Sequence, residues 1–338
     1  MKKTKVGVIG VGRIGKLHLE NLSQRIPNAE AVAIADVFVE EAKKVGKQYG
    51  VDTISADYKD ILSNPEVEAV VICSPTDTHA QYIIDSAEAG KHIFCEKPID
   101  LSLEKIMEIL KTVEKEGVKL FVGFNRRYDP NFAKVQQMVS TGKIGEPHIL
   151  KITSRDPAPP PAEYVAVSGG MFLDMTIHDF DMARFVMGSE VKEVYAKANV
   201  LVDPEIGKAG DVDTAITTLF FENGAIGTID NSRKAVYGYD QRLEVFGSEG
   251  MVKMDNDTPD THSYYNKDGS HGPLPLDFFM DRYIQSYENE MVAFINALVN
   301  DEEMPVTGRE GLMSVAIGLA AKKSVAENRP VKLSEILK

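Results

Sequence analysis

Lys5-Val-Gly-Val-Ile-Gly10-Val-Gly-Arg-Ile-Gly15 opens the chain with a short apolar run that breaks into three spaced glycines. A strand followed by G-x-G-x-x-G and then a helix is the context in which that spacing has a mechanism. The first glycine turns the chain tightly, the second lets the backbone approach a pyrophosphate, and the third lets helix and strand pack closely. Gly10, Gly12, Arg13, Ile14 and Gly15 are therefore expected to cradle a dinucleotide on a helix N-terminus. The next apolar run ends at Asp36, 21 residues beyond Gly15. A carboxylate there bonds ribose hydroxyls and repels a 2′-phosphate, and no Lys or Arg follows until Lys43. NAD is expected, rather than NADP.

Outward from this motif the pattern repeats. Apolar runs at 5–10, 31–36, 69–74, 92–96 and 120–124 alternate with amphipathic stretches at 15–23, 39–49, 78–89 and 103–115. Strands that are apolar throughout, each followed by a helix, predict a parallel sheet covered on both faces. After Phe124 the rhythm changes. A helix is expected at 131–140, a strand at 149–154, a stiff loop at Asp156-Pro-Ala-Pro-Pro-Pro161, and a helix at 171–187. Runs at 215–221 and 225–231 flank Glu222-Asn-Gly224, a hairpin signal, and 243–246 and 251–254 flank Gly247-Ser-Glu-Gly250 in the same way. A strand at 191–200 and helices at 284–299 and 309–328 complete the pattern. The prediction is an α/β Rossmann domain over 1–124 and an α+β domain with a large, mostly antiparallel open sheet over 125–338. The segments 204–210 and 255–272 read as polar loops.

Bulk properties exclude several classes. A net charge of −13 argues against nucleic acid. No run approaches the ~18 apolar residues of a membrane span, so no membrane partner is expected. The N-terminal apolar run is too short and too soon interrupted by Arg13 and Lys16 to be a signal peptide, which makes the cytoplasm the expected compartment. Two cysteines, Cys73 and Cys95, sit in apolar runs and read as free buried thiols. No Cys/His cluster has metal-ligand spacing, and no metal is expected.

Three further segments carry chemistry. Ser74-Pro-Thr76-Asp-Thr78-His79 follows the third strand, where ligands bind in parallel sheets. Ser74, Thr76 and His79 are candidate cofactor contacts, and Thr78 a candidate helix cap. Glu96-Lys97-Pro98 follows the fourth strand, with the Lys97–Pro98 bond expected to close a cis turn that fixes the lysine. The ammonium of Lys97 can hold a hydroxyl and favour its ionised form. The third segment is 171–187, MFLDMTIHDFDMARFVM, which lacks the Lys and Glu of a solvated face. As one helix it puts Asp174, His178 and Asp181 on a single stripe among apolar residues. A neutral His178 can accept a hydroxyl proton, with Asp174 orienting the ring. A core histidine satisfied by Asp174 or Asp181 is the bland alternative.

Gly10–Gly15, Glu96-Lys97-Pro98, Gly123-Phe-Asn-Arg-Arg127 and Asp174-x-x-x-His178, in this order, resemble the glucose–fructose oxidoreductase/inositol dehydrogenase/MocA (Gfo/Idh/MocA) family. SRDPAPPP, SGGMFLDMTIHDFDMARFVMG, GKAGDVDTA and AVYGYDQRLEVFGS resemble its inositol 2-dehydrogenases. The resemblance spans essentially the whole chain. It implies NAD-dependent oxidation of myo-inositol at its axial hydroxyl to 2-keto-myo-inositol (scyllo-inosose). It further implies Lys97, Asp174 and His178 as the catalytic trio and Glu96 with Lys97 at the cofactor. Arg127, Asp156 and Tyr237 become substrate contacts, and the open sheet packs between subunits of a dimer or tetramer. Two points stay open: whether His178 or Lys97 takes the proton directly, and which inositol isomer or sugar is preferred. A nicotinamide sensor without catalysis is the alternative from another class.

Overall fold

The computed structural model describes residues 3–337. These divide into two compact units, 1–128 with 285–313, and 129–284 with 314–338.

The first unit is built on six parallel strands: β1 (Thr4–Ile9), β2 (Ala29–Ala35), β3 (Thr53–Ser55), β4 (Ala69–Ile72), β5 (His92–Glu96) and β6 (Leu120–Gly123). Their order, β3-β2-β1-β4-β5-β6, places β1 between β2 and β4. The winding direction of the sheet reverses there, and loops leaving β1 and β4 open a crevice at the strands' carboxyl ends. β4 and β6 are buried along their whole length because helices cover both faces, as the unbroken apolar runs require. β3 went unread in the sequence; it is three residues long, polar and at the sheet edge.

The expected single boundary at 124/125 differs from this division. Residues 285–313 pack with the first unit, because Phe294 supplies an aromatic face to Phe94 and Phe121 at 5.7 and 5.9 Å between ring centres. Val122 N–H also donates to the Val306 carbonyl. A helical periodicity shows that a face is apolar, not which sheet it covers.

The second unit is a seven-stranded mixed sheet. Its strands are β7 (Pro147–Arg155), β8 (Val191–Asn199), β9 (Thr214–Phe221), β10 (Ile226–Ser232), β11 (Asp240–Gly247) and β12 (Met251–Met254). After the exposed ribbon β13 (Tyr264–Asn266)/β14 (Gly269–His271), β15 (Val331–Lys332) joins the same sheet. The order is β12-β11-β7-β10-β9-β8-β15, antiparallel except for β7 beside β10. Both hairpins form where the turn residues placed them, with Phe220 opposite Ile226 and Phe246 opposite Met251. Strand residues alternate strictly, Leu150, Ile152 and Ser154 buried against Ile149, Lys151 and Thr153 more exposed. Helix Ile177–Met187 packs on the buried face beside helix Pro130–Ser140. Asp129 caps the latter, accepting from the N–H groups of Asn131 and Phe132, and its carboxylate also takes the buried Arg282 guanidinium. The polar stretch 204–210 holds a short helix, Pro204–Lys208, capped by Asp203.

Candidate functional site

The glycine turn has the geometry its spacing predicts. Gly10 has φ +86°, and a Cβ there would lie 2.9 Å from the Cys73–Ser74 backbone. A Cβ on Gly15 would sit 1.9 Å from the Gly10 carbonyl oxygen, so helix Arg13–Glu20 can start this close to β1 only with glycine. Gly12 is different: a Cβ there would meet no protein atom. Its lack of a side chain serves the approach of something outside the chain, which suits a pyrophosphate. Asp36 lies at the end of β2 and accepts the Val11 N–H at 2.8 Å through Oδ2 and the Phe38 N–H at 2.8 Å through Oδ1. A carboxylate is thereby fixed beside the glycine turn, as ribose recognition needs.

The neighbouring loops are tied together by His79. Its ring nitrogens lie 2.8 Å from the Ser74 carbonyl and 2.8 Å from the Pro98 carbonyl. The residue is 1% exposed. Burial pushes its pKa below the usual histidine range, so the neutral ring can donate to one carbonyl at a time. His79, a candidate cofactor contact, here joins the loop after β4 to the turn after β5. Thr78 is likewise not the helix cap. Helix Thr76–Glu88 starts after Pro75, and the Thr78 hydroxyl donates back to the Pro75 carbonyl while meeting Ser74 Oγ at 2.6 Å. Ser74, Thr76 and Lys97 are half-buried at the carboxyl edge, and Lys97–Pro98 is cis. Arg127 lies in the 3-10 turn Asn125–Tyr128, also half-buried.

In the second unit, 171–187 is not one α-helix. Met171–Met175 forms a π-turn, with the Thr176 N–H bonded to the Met171 carbonyl, and the α-helix starts at Ile177. The turn is pinned at its start. Asp211 accepts the Met171 N–H at 2.8 Å, and a Cβ on Gly170, at φ +75°, would strike that carboxylate at 2.5 Å. The single stripe expected from regular α-spacing is broken. Between Met171 and Phe180 only Asp174 and His178 reach the surface, and Asp181 is buried. A π-turn inside a helix is often found at functional sites, because it redirects side chains that a regular helix would space evenly.

Around Asp174 the structure gathers residues from three segments. The buried guanidinium of Arg233 donates to Asp156 Oδ2 at 3.3 Å and to Asp174 Oδ2 at 3.3 Å. The Tyr164 hydroxyl, from helix Ala162–Ser168, donates to Asp174 Oδ1 at 3.0 Å. Burial and the charge of Asp174 push the Tyr164 pKa up, so it remains a neutral donor. Behind this group, Asn231 on β10 donates to Asp179 Oδ2 at 3.0 Å and accepts from the Thr176 hydroxyl, which fixes the helix to the sheet. Asp156 and Asp174 are thus joined through Arg233, and His178 reaches the surface one turn further along the chain. Tyr237 is placed elsewhere: its hydroxyl accepts from Arg155 Nη1 at 3.0 Å and donates to Asp240 Oδ2 at 2.6 Å. It lines a hollow of about 290 Å³ with Asp230 and Lys234.

Family models match both halves of the chain. An oxidoreductase family with an NAD-binding Rossmann fold matches residues 4–124, and the GFO/IDH/MocA C-terminal domain matches 132–253. The myo-inositol 2-dehydrogenase of Thermotoga maritima is 50% identical over 98% of this chain and 99% of its own length. The inositol 2-dehydrogenase of Rhizobium meliloti is 46% identical over 98% of this chain and 99% of its own length. The chain belongs to the Gfo/Idh/MocA oxidoreductase family. A solved Lactobacillus casei member, scyllo-inositol dehydrogenase with bound NAD(H) and scyllo-inositol, is 31% identical. It superposes with a TM-score of 0.92 over 98% of this chain and 100% of its own.

Against that family background, Arg233 and Asp211 were missed in the sequence. For Arg233 a signal existed: Gly227, Ile229 and Asn231 are the buried positions of β10, and Arg233 continues their alternation. A cation on the buried side of a strand demands carboxylates nearby. One further cluster, in the first unit, was also missed. His18 Nε2 lies 2.7 Å from Glu96 Oε1 and 3.9 Å from Glu290 Oε1. Burial, with Glu96 adding to it, holds the Glu290 carboxyl well above the usual range. The trio forms a buried acid–imidazole–carboxylate contact at the end of β5. Burial likewise pushes up the free thiols of Cys73 and Cys95, which removes both as nucleophiles.

Proposed function

We propose that this family member is an NAD-dependent inositol 2-dehydrogenase that oxidises myo-inositol to 2-keto-myo-inositol. The observation that carries this reading is the Asp174/His178 face. In an otherwise buried helix start, the only two side chains at the surface are a carboxylate held by Arg233 and an imidazole. The half-identity to a myo-inositol 2-dehydrogenase supports the substrate. His178 accepts the hydroxyl proton, Asp174 orients the ring and grips a neighbouring hydroxyl, and the Lys97 ammonium stabilises the developing alkoxide. Asp156 and Arg127 bind further hydroxyls. Gly10, Gly12, Gly15 and Asp36 would hold NAD, which would supply the acceptor for the hydride.

The isomer is the point on which relatives differ, since the L. casei member holds scyllo-inositol. Initial rates with myo-, scyllo- and chiro-inositol and glucose, each with NAD and with NADP, test the assignment. Myo-inositol with NAD should give the highest kcat/KM. A preference for scyllo-inositol would move the assignment to that isomer, and no reduced nicotinamide with any polyol would sink it.

The same reading makes the protein a cytoplasmic homo-oligomer. Both cysteines are free. Among the described residues, no helix is long and apolar enough to cross a membrane. The support for self-association is an apolar row on the exposed sheet face, taken up below.

A further inference from the structure

Arg233 takes no part in the proposed chemistry, yet it is 3% exposed and surrounded by acid groups. Burial pulls its pKa down, but Asp174, Asp156 and Asp211 outweigh this and hold it above the ordinary arginine value. Its two terminal nitrogens are divided, Nη1 donating to Asp156 and Nη2 to Asp174. Guanidinium is planar and rigid, so two carboxylates bound to its two ends stand at a fixed separation and orientation. It also supplies the positive charge that lets two like charges stand this close.

The geometry points to Arg233 as a positioning residue that sets Asp174 and Asp156 as a matched pair of acceptors for two adjacent hydroxyls of a polyol. Ionised carboxylates only accept hydrogen bonds, and ring hydroxyls donate them. Asp174 is gripped on its second oxygen by the neutral Tyr164 hydroxyl, a bond of the kind a substrate hydroxyl would make in the same place. Arg233 therefore fixes the carboxylate while leaving to exchangeable hydroxyl donors the side that meets substrate. A lone cation such as Lys holds one point and cannot set the relative angle of two carboxylates. This inference rests on the functional reading above.

The test uses the full-length enzyme with Arg233→Lys, Arg233→Gln and Arg233→Ala, assayed with the polyol that the substrate panel selects. Circular dichroism, melting temperature and NADH fluorescence titration report fold and cofactor binding. Arg233→Gln should lose kcat/KM by about tenfold to a hundredfold, the range for removal of an orienting partner, with kcat falling as well as KM rising. Arg233→Lys should recover part of kcat. Added guanidinium ion should restore turnover to Arg233→Ala where the same concentration of sodium chloride does not. NADH affinity should be unchanged throughout. Wild-type rates in Arg233→Gln would overturn the inference and leave the functional reading intact. Parallel collapse of melting temperature, NADH binding and turnover in all three variants would also overturn it, as a purely structural role. A wild-type enzyme inactive on every polyol would overturn both.

Discussion

His178 is the residue on which the chemistry is most directly tested. Removing a general base costs about 10²–10⁴-fold in turnover, and His178 is not among the residues assigned to cofactor binding. His178→Ala should therefore lose kcat by that order with NADH titration unchanged, and retained turnover would eliminate it as the proton acceptor in favour of Lys97. Glu290 makes a prediction of a different kind. Burial in the folded protein raises the pKa of its carboxyl well above the usual range, whereas the unfolded chain releases that proton above an ordinary pKa of about 4.3. Stability from this group is complete below the unfolded value and is lost as pH rises toward the folded one. Glutamine cannot ionise, so Glu290→Gln should melt higher than wild type by a margin that grows from acid to alkaline pH. A margin independent of pH would show that Glu290 is not carried as a neutral acid. Lys97 was singled out in the sequence by its place after a strand at the carboxyl edge, and Asp174 and His178 as ionisable groups set among apolar neighbours. Arg233 was not, because it continues the buried alternation of β10 two residues past 231, where the apolar run ends.

At the scale of elements, the strongest legibility lay where covalent geometry narrows the choice. Gly10 and Gly15 are required by a positive φ and a close approach, and both hairpin turns follow from Asn-Gly and Gly-Ser-Glu-Gly. Regular helical spacing was a poorer guide at 171–187. The pattern there is apolar almost all round, because the helix is buried on nearly every side, so periodicity could not distinguish an α-turn from the π-turn that places Asp174. The hydrogen bond that pins the π-turn's entry is accepted by Asp211, in a stretch with no periodic signal of its own. Tyr237 shows the same limit in another form. Its tyrosine-rich segment looks suited to a polyol, but pairing of β11 with β7 brings Asp240 opposite Arg155, and these two claim its hydroxyl. Long-range register, which decides such partners, is not written locally in the chain.

For the molecule as a whole, the open face of the second sheet is the unresolved surface. Strand pairing sets Met251, Phe246, Ile149, Ile226 and Phe220 side by side across five strands, β12-β11-β7-β10-β9. Met251, Phe246, Ile149 and Ile226 are 49, 47, 42 and 47% exposed. A continuous exposed apolar row of this kind supports the proposed self-association. Every copy carries the same row, so a two-fold axis through it would pair like with like, which is the commonest symmetry of homo-oligomers. Lys151, Glu244, Arg242 and Lys253 lie on the same side of their strands and give the row a charged border, as the rim of an interface requires. Phe246→Asp puts a charge in the middle of the row without touching the buried face, where Val245 and Leu243 hold the core. Sedimentation velocity should find the wild type as a dimer or tetramer and the Phe246→Asp variant at monomer mass, with circular dichroism and NADH affinity preserved. A wild-type monomer, or a variant of unchanged mass, would remove the sheet face from consideration as the subunit contact.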